Sequence, residues 1–221
     1  MSEVAALGEQ LRITEIFLSL QGESSTVGLP TVFVRLTGCP LRCQYCDTAY
    51  AFSGGEMKTL DEILSVVKGY TVQHVTVTGG EPLAQPGVHS LMRRLCDAGL
   101  SVSLETSGAL PIAKVDRRVT AVVDLKTPDS GESHRNHWDN IAVLKPTDQV
   151  KFVICSRTDY EWAKFKVDEH ALSGRVEEVL FSPSFGAVAP TQLADWIVED
   201  RLNVRMQVQL HKLLWGDEPG R

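Results

Sequence analysis

The feature that most constrains the fold is the alternation of short β-rich runs with segments of helical period. Eight runs rich in β-branched and apolar residues occupy residues 12–21, 31–38, 74–80, 101–108, 120–126, 149–155, 177–184 and 204–212. Between several of them, apolar residues recur at helical spacing in segments 60–67, 88–95 and 193–197, the last behind Pro190. Strands that alternate with helices predict βα units and a mainly parallel sheet covered on both faces.

Chain length limits the architecture of this sheet. A closed barrel of eight βα units takes ~250 residues, whereas this chain has 221. We therefore predict an α/β fold that is a partial (open) βα barrel, with about six mainly parallel strands and an N-terminal extension strand. No linker divides the sequence, so residues 1–221 are expected to form a single domain. Residues 1–10 lack the features of a secretory signal. They are expected to be a flexible, polar leader.

Composition narrows the class of partner. A net charge of −6 without a run of Lys and Arg argues against direct nucleic-acid binding. Apolar runs are too short to span a membrane. Five cysteines, an odd number with three of them crowded, do not resemble a secreted disulfide framework. We expect a cytoplasmic protein that binds a small molecule.

Five polar segments follow apolar strands directly. They read "TGC", "TGGEP", "ETSG", "DLKTP" and "SPS". In open parallel sheets and α/β barrels, the loops at the carboxyl ends of the strands gather the functional groups. The five segments are therefore predicted to line one cavity.

The stretch "TGCPLRCQYCDTAY" carries three cysteines, Cys39, Cys43 and Cys46. A structural zinc site would need a distant fourth ligand, such as Cys96, Cys155 or a histidine, although both of those cysteines look like core residues. A thioredoxin-like pair of Cys43 and Cys46 leaves Cys39 unexplained. Three thiolates can also hold a 4Fe-4S cluster whose fourth iron stays open for a ligand.

With Tyr45 just before the third cysteine, the spacing resembles the radical S-adenosylmethionine (SAM) superfamily, whose signature is C-x3-C-x-aromatic-C. The segment "TGGEP" is similar to the superfamily's binding segment for the SAM amino group. The resemblance implies a radical SAM barrel, a 4Fe-4S cluster on the three cysteines, and bound S-adenosyl-L-methionine. The implied SAM-binding residues are Tyr45, Asp47, Gly79, Gly80, Glu81, Glu105, Ser107 and Lys126. Taken alone, Glu81 could also be an ordinary acidic residue at a helix start.

Longer segments resemble one family within that superfamily. "EIFLSLQGES" and "GLPTVFVRLTGCPLRCQYCDT", with "TGGEP", "ETSG" and "QVQLHKLLW", are similar to 7-carboxy-7-deazaguanine synthases. This resemblance implies a radical carbon–nitrogen lyase of queuosine biosynthesis. It would contract the ring of 6-carboxy-5,6,7,8-tetrahydropterin to 7-carboxy-7-deazaguanine and release ammonia. It also implies Mg²⁺, a homodimer and a reductant such as flavodoxin.

The same resemblance implies roles for further residues. Thr48 would ligate Mg²⁺, a hard cation that keeps waters and often takes ligands from the substrate. The guanidinium of Arg35 would pair with the substrate carboxylate; the alternative is a solvent-facing charge on an alternating strand. The substrate-binding set is Leu20, Gln21, Gly22, Glu23, Arg35 and Thr78.

The sequence also departs from the family pattern. Ser24 and Ser25 stand where many members have "QGEG", and "VDLKTP" replaces a more usual "SPK", so the SAM contacts of Asp124 and Leu125 stay open. "GDEPGR" extends beyond Trp215 and is assigned no substrate contact, whereas His211 and Lys212 are candidates for closing the pocket. "HRNHW" is expected to be a polar loop with little prospect of metal binding. Two other functions stay open, a glycyl-radical activase and a zinc-stapled module without catalysis.

Overall fold

The computed structural model describes residues 10–216, 218 and 220. Residues 1–9 of the expected leader lie outside the described residues, and Gln10 already belongs to the first strand. Nine strands and six α-helices are found in the described part of the chain. The strands are β1 Gln10–Leu20, β2 Pro30–Leu36, β3 Glu56–Thr59, β4 His74–Gly79, β5 Ser101–Thr106, β6 Thr120–Asp124, β7 Gln149–Ile154, β8 Glu178–Pro183 and β9 Arg205–Met206. The helices are α1 Leu60–Gly69, α2 Val88–Asp97, α3 Asn140–Val143, α4 Arg157–Glu169, α5 Pro190–Asp200 and α6 Leu210–Trp215.

All nine strands form one open sheet in the order β3-β1-β2-β4-β5-β6-β7-β8-β9. β1 pairs antiparallel with β2 and β3, and every pair from β2 to β9 is parallel. The predicted partial barrel with an N-terminal extension strand is therefore confirmed. Parallel pairing places the carboxyl ends of β2 and β4 to β8 at one edge, which is where the polar segments begin.

The helices cover the outer face of the sheet with their apolar stripes. On α1 the buried residues are Leu60, Ile63 and Val67, and a capping box between Thr59 and Glu62 fixes its first turn. On α2, Val88, Leu91, Met92 and Leu95 are buried at helical spacing. The core of the protein thus lies between helices and sheet and leaves the inner face of the sheet for polar side chains.

The prediction for residues 204–212 was wrong in part. Only Arg205–Met206 pairs with β8, and Leu210–Trp215 forms α6. The apparent alternation of "VRMQVQL" does not continue in the sheet because the amide of Leu210 bonds to the carbonyl of Gly22, 3.0 Å away. Sequence periodicity also missed β3 and α4. No helix in the described residues is long and apolar enough to cross a membrane.

Candidate active site

A cavity of about 640 Å³ opens at the carboxyl ends of the parallel strands. The sequence-predicted residues that line it are Leu20, Gln21, Gly22, Glu23, Arg35, Cys39, Cys43, Tyr45, Cys46, Asp47, Thr48, Thr78, Gly79, Gly80, Glu105, Ser107 and Lys126. The side chain of Glu81 is the exception and lies behind the wall. Residues from six separate stretches of the sequence are therefore gathered into one chamber, as the positions of the polar segments predicted.

The cysteine loop follows β2 and carries three half-buried free thiols. Two backbone hydrogen bonds hold this loop. The amide of Gly38 donates to the carbonyl of Ala51 at 2.8 Å, and the amide of Gln44 donates to the carbonyl of Ser130 at 3.1 Å. Burial raises the pKa of the Cys43 thiol to about 11. Among the described residues, no group of three His, Cys, Asp or Glu side chains is already gathered around a single metal-ion position. Cys96 and Cys155 do not line the cavity.

The loop after β4 packs directly against the cysteine loop. A Cβ on Gly80 would lie 2.2 Å from the carbonyl oxygen of Gly38 and 2.9 Å from Cβ of Cys39. A Cβ on Gly79 would lie 2.3 Å from the carbonyl oxygen of Leu36. Only glycine permits this approach, and both glycines line the cavity next to the thiols, where they form a cradle of backbone groups. Three thiols next to a backbone cradle fit a 4Fe-4S cluster with a ligand on its open iron.

Glu81 holds the β4 and β5 loops together from behind this cradle. It is fully buried, and its carboxylate accepts hydrogen bonds from the amides of Leu83 and Ser107 and from the hydroxyls of Thr106 and Ser107, at 2.5–3.0 Å. The sequence also allowed Glu81 to be an ordinary acidic residue at a helix start. The structure partly agrees with this alternative, because the Glu81 side chain caps a short 3₁₀ turn at Pro82. Four donors of the chain thus already reach its carboxylate, which fixes the position of Ser107.

Tyr45 and Lys126 meet on the wall beside the cluster loop. The Lys126 ammonium lies 5.4 Å from the centre of the Tyr45 ring and 3.0 Å from Oδ2 of Asp124. Burial opposes the charge of Lys126, but Asp124 outweighs it and the pKa of Lys126 is raised. Of the two residues left open by the sequence, Asp124 lines the cavity and Leu125 is buried in the core. The "HRNHW" loop is structural, since Asn136 pairs with both backbone groups of Lys126 at 2.8 and 2.9 Å.

Arg35 points into the cavity, so the solvent-facing alternative is wrong. Its Nε donates to Oε1 of Glu15 at 2.6 Å, and its side chain is only 16% exposed. The guanidinium lies 5.8 Å from the ring centres of both Phe17 and Tyr50. Phe17 also stacks on Phe33 at 5.1 Å, and both rings line the cavity. A fixed cation beside flat aromatic faces suits a planar anionic ligand.

The C-terminal segment closes the cavity on the side of Thr48. Thr48 donates to Oδ1 of Asp47 at 2.7 Å, and the ammonium of Lys212 lies 3.5 Å from Oδ2 of the same carboxylate. Burial opposes ionisation of Asp47, but the Thr48 hydroxyl and the nearby cations prevail and lower its pKa. His211 fits against Gly22, where a Cβ would lie 2.5 Å from its Nδ1. Both His211 and Lys212 line the cavity.

Comparison with known proteins agrees with this geometry. Residues 33–130 match the Radical SAM superfamily. The chain is 46% identical to 7-carboxy-7-deazaguanine synthase of Chlorobaculum tepidum, over 94% of this chain and 96% of the relative. This chain belongs to the 7-carboxy-7-deazaguanine synthase family. The synthase of Koribacter versatilis is 43% identical over 94% of this chain and 98% of its own.

A solved structure supports the family assignment. QueE from Escherichia coli superposes with a TM-score of 0.76 at 25% identity, covering 95% of this chain and 99% of that one. Members of a radical SAM family use a 4Fe-4S cluster and SAM, so the radical interpretation of the cysteines prevails over the zinc-stapled module and the glycyl-radical activase.

Sequence reasoning missed Lys151 on the cavity floor. It lies in the middle of β7, within the apolar run "QVKFVI", and is 7% exposed. Its ammonium lies 2.7 Å from Oε2 of Glu23, which the family resemblance did single out. The available signal was a lysine at the centre of a strand that is otherwise buried, because Lys is almost never fully buried unless it is paired.

Proposed function

We propose that this chain converts 6-carboxy-5,6,7,8-tetrahydropterin into 7-carboxy-7-deazaguanine with release of ammonia. The observation that carries the proposal is the meeting, in one cavity, of the three-thiol loop with a floor of buried charges and flat aromatic walls. The relatives that bear the name 7-carboxy-7-deazaguanine synthase align over nearly the whole chain. Both the cofactor side and the substrate side of the cavity are thus accounted for.

Residues of the cofactor side have assigned tasks in this proposal. Cys39, Cys43 and Cys46 hold the 4Fe-4S cluster, and the cradle of Gly79 and Gly80 admits the amino acid part of SAM. Ser107, positioned by Glu81, and Lys126 flank the same space. When bound, the cluster and SAM supply one-electron reduction and hydrogen-atom abstraction, chemistry that side chains alone do not provide.

Residues of the substrate side orient the pterin. Arg35 binds the substrate carboxylate through its guanidinium, which is already fixed by Glu15. Gln21 and Glu23 face the ring edge from the loop after β1; the amide nitrogen of Gln21 is itself anchored on Thr76 at 3.0 Å. A flat ring between fixed hydrogen-bonding groups is held in one orientation, which lowers the entropic cost of reaction.

Mg²⁺ would be bound by Thr48 together with substrate oxygens and waters. Thr48 lines the cavity, and its hydroxyl donates a hydrogen bond to the ionised Asp47. A hard cation at this point would orient the substrate and stabilise negative charge that develops on it. A homodimer and a flavodoxin-type reductant complete the proposal on the strength of the family resemblance.

The experiment is anaerobic reconstitution with iron and sulfide, followed by reduction and incubation with SAM, Mg²⁺ and 6-carboxytetrahydropterin. We expect 7-carboxy-7-deazaguanine and ammonia in equal amounts, identified by mass spectrometry. Cys43→Ala should lose iron and all turnover, whereas Cys96→Ala, outside the cavity, should keep both. SAM cleavage by the wild type without a deazapurine product would refute the substrate; one zinc and no iron would refute the cluster.

A further inference from the structure

The cavity floor holds a buried charge cluster centred on Lys151. Its ammonium lies 2.7 Å from Oε2 of Glu23, 3.6 Å from Oδ2 of Asp124 and 3.9 Å from Oε2 of Glu105. The three carboxylates come from the loop after β1, the end of β6 and the end of β5. One cation therefore joins three segments of the cavity.

The nearby Lys126 and Arg35 pair with carboxylates other than Glu23. Lys126 pairs with Asp124 at 3.0 Å, and Arg35 pairs with Glu15 at 2.6 Å. Glu23 is 7% exposed, and its second oxygen, Oε1, has no hydrogen-bond partner within the described structure. A buried carboxylate without a cation is strongly disfavoured. The orientation of Glu23 thus depends on Lys151.

Glu105 is the least satisfied member of this cluster. Its carboxylate lines the cavity and accepts no hydrogen bond from another described residue, and Lys151 is its nearest cation at 3.9 Å. Burial raises the pKa of Glu105 to about 7; Lys151 and Arg35 lower it, while Glu23 and Asp124 raise it. A small change in the position or charge of Lys151 therefore changes how much of Glu105 is ionised near neutral pH.

We propose that Lys151 is a positioning residue of the active site, which orients the carboxylates of Glu23 and Glu105 so that both receive N–H and O–H donors of the bound ligands. This inference rests on the proposed function, because it assigns the donors to a pterin and to SAM. It adds a residue that does not contact the reacting atoms but fixes the positions of two carboxylates that face them.

The first test is binding, which needs no turnover. Pterin-6-carboxylate, an oxidised analogue that cannot undergo the ring contraction, is titrated calorimetrically into the wild type and into Lys151→Met and Lys151→Arg. Loss of about 1.4 kcal/mol corresponds to tenfold in affinity. We expect Lys151→Met to bind at least about tenfold more weakly and Lys151→Arg to recover most of the difference.

The second test is the pH profile of kcat/KM. Without Lys151 the pKa of Glu105 rises further, so less of Glu105 is ionised at neutral pH and the acid limb moves to higher pH. The expected shift is about one pH unit or more for Lys151→Met. In a Glu105→Gln background the same substitution should produce no shift, because the titrating group has been removed.

Two further variants keep the result decisive. Glu23→Gln/Lys151→Met removes the cation and its closest carboxylate together, so it avoids an unpaired Glu23 if the single variant does not fold. Its reference is Glu23→Gln alone, and relative to that variant it should still show the shifted acid limb. Lys164→Met, an exposed ion-pair residue of α4, is the control and should behave as wild type.

The inference is overturned if folded Lys151→Met binds the analogue within about twofold of wild type and keeps the acid limb unmoved, or if the double variant, used in its place, matches Glu23→Gln in both measurements. A wild type that makes no deazapurine refutes the proposed function instead. A wild type that makes it, with Lys151 variants unchanged, refutes only the role of Lys151.

Discussion

The ends of β4 and β5 each carry a glutamate, and the two side chains have opposite surroundings. Glu81, after β4, accepts hydrogen bonds from four groups and does not reach the cavity. Glu105, at the end of β5, lines the cavity and accepts none from the described residues. A buried carboxylate satisfied by its own chain stabilises the scaffold, whereas one left open on a cavity wall needs a ligand.

The largest effect is expected for Glu81→Gln. The amide of glutamine presents a donor to the Ser107 amide and the Thr106 hydroxyl, so several buried groups lose their acceptor. We expect the free energy of unfolding in urea, measured on the reduced apo chain, to fall by ~3 kcal/mol or more. Activity should fall as well, because Ser107 is displaced.

Glu105→Gln is the matched control for this substitution, and it should leave stability near neutral pH unchanged or raised. Equal losses of stability in both variants would abolish the distinction between the two glutamates.

The second-largest effect is expected for Thr48→Ala. This substitution tests whether the Thr48 hydroxyl only supports Asp47 or also binds a metal ion. If Thr48 ligates the ion, the Mg²⁺ concentration for half-maximal turnover should rise about 10–100-fold, as for lost metal-binding groups in general. Thr48→Ser keeps the oxygen and should need little more Mg²⁺ than wild type. An unaltered Mg²⁺ response of Thr48→Ala would make the hydroxyl a cap on Asp47 only.

The sequence could predict only in part which polar side chains are satisfied within the chain and which face the cavity. Strand and helix alternation placed "TGGEP" and "ETSG" at one edge, and the cysteine spacing with the family resemblance placed the thiols. Neither could separate Glu81 from Glu105, because both stand in a polar segment at the carboxyl end of an apolar strand. Their roles differ through contacts between β4 and β5 loops, which are distant in sequence.

Lys151 and the C-terminal segment show the same limit. A lysine in an apolar strand is an anomaly that sequence can flag, but its partners Glu23, Glu105 and Asp124 come from three other segments. Residues after Met206 alternate like a strand, yet the bond from the Leu210 amide to Gly22 directs them into a helix against the cavity. Tertiary contacts overrode local periodicity in both places.

A third, smaller effect is expected in the pH dependence of stability. Burial raises the pKa of Glu105 from 4.5 to about 7, so the folded chain holds a proton that the unfolded chain has released. Its contribution to stability is greatest below pH 4.5 and declines as the pH rises to about 7. Glu105→Gln lacks this decline. The difference in urea midpoint, variant minus wild type, should therefore grow across this window; a constant difference would show that Glu105 ionises normally.

The smallest effect is expected at Ser24, beside the open carboxylate of Glu23. Ser24 has a φ of 67°, in the left-handed region that favours glycine. Its amide donates to Oε1 of Gln207 at 2.9 Å, which couples this turn to the C-terminal segment. Glycine removes ~1–2 kcal/mol of strain and adds ~0.5–1 kcal/mol of unfolded-state entropy.

We expect Ser24→Gly to raise the free energy of unfolding by ~0.5 kcal/mol, the balance of these two effects, with kcat/KM unchanged. Ser25→Gly is the control, because Ser25 is not in the left-handed region and its hydroxyl accepts from Gln149 at 2.6 Å. That variant should lose stability. If both variants lose the same amount of stability, the hydroxyl contact of Ser24 with Thr26 outweighs any backbone strain. A gain in stability for Ser24→Gly alone shows that the chain tolerates strain next to Glu23.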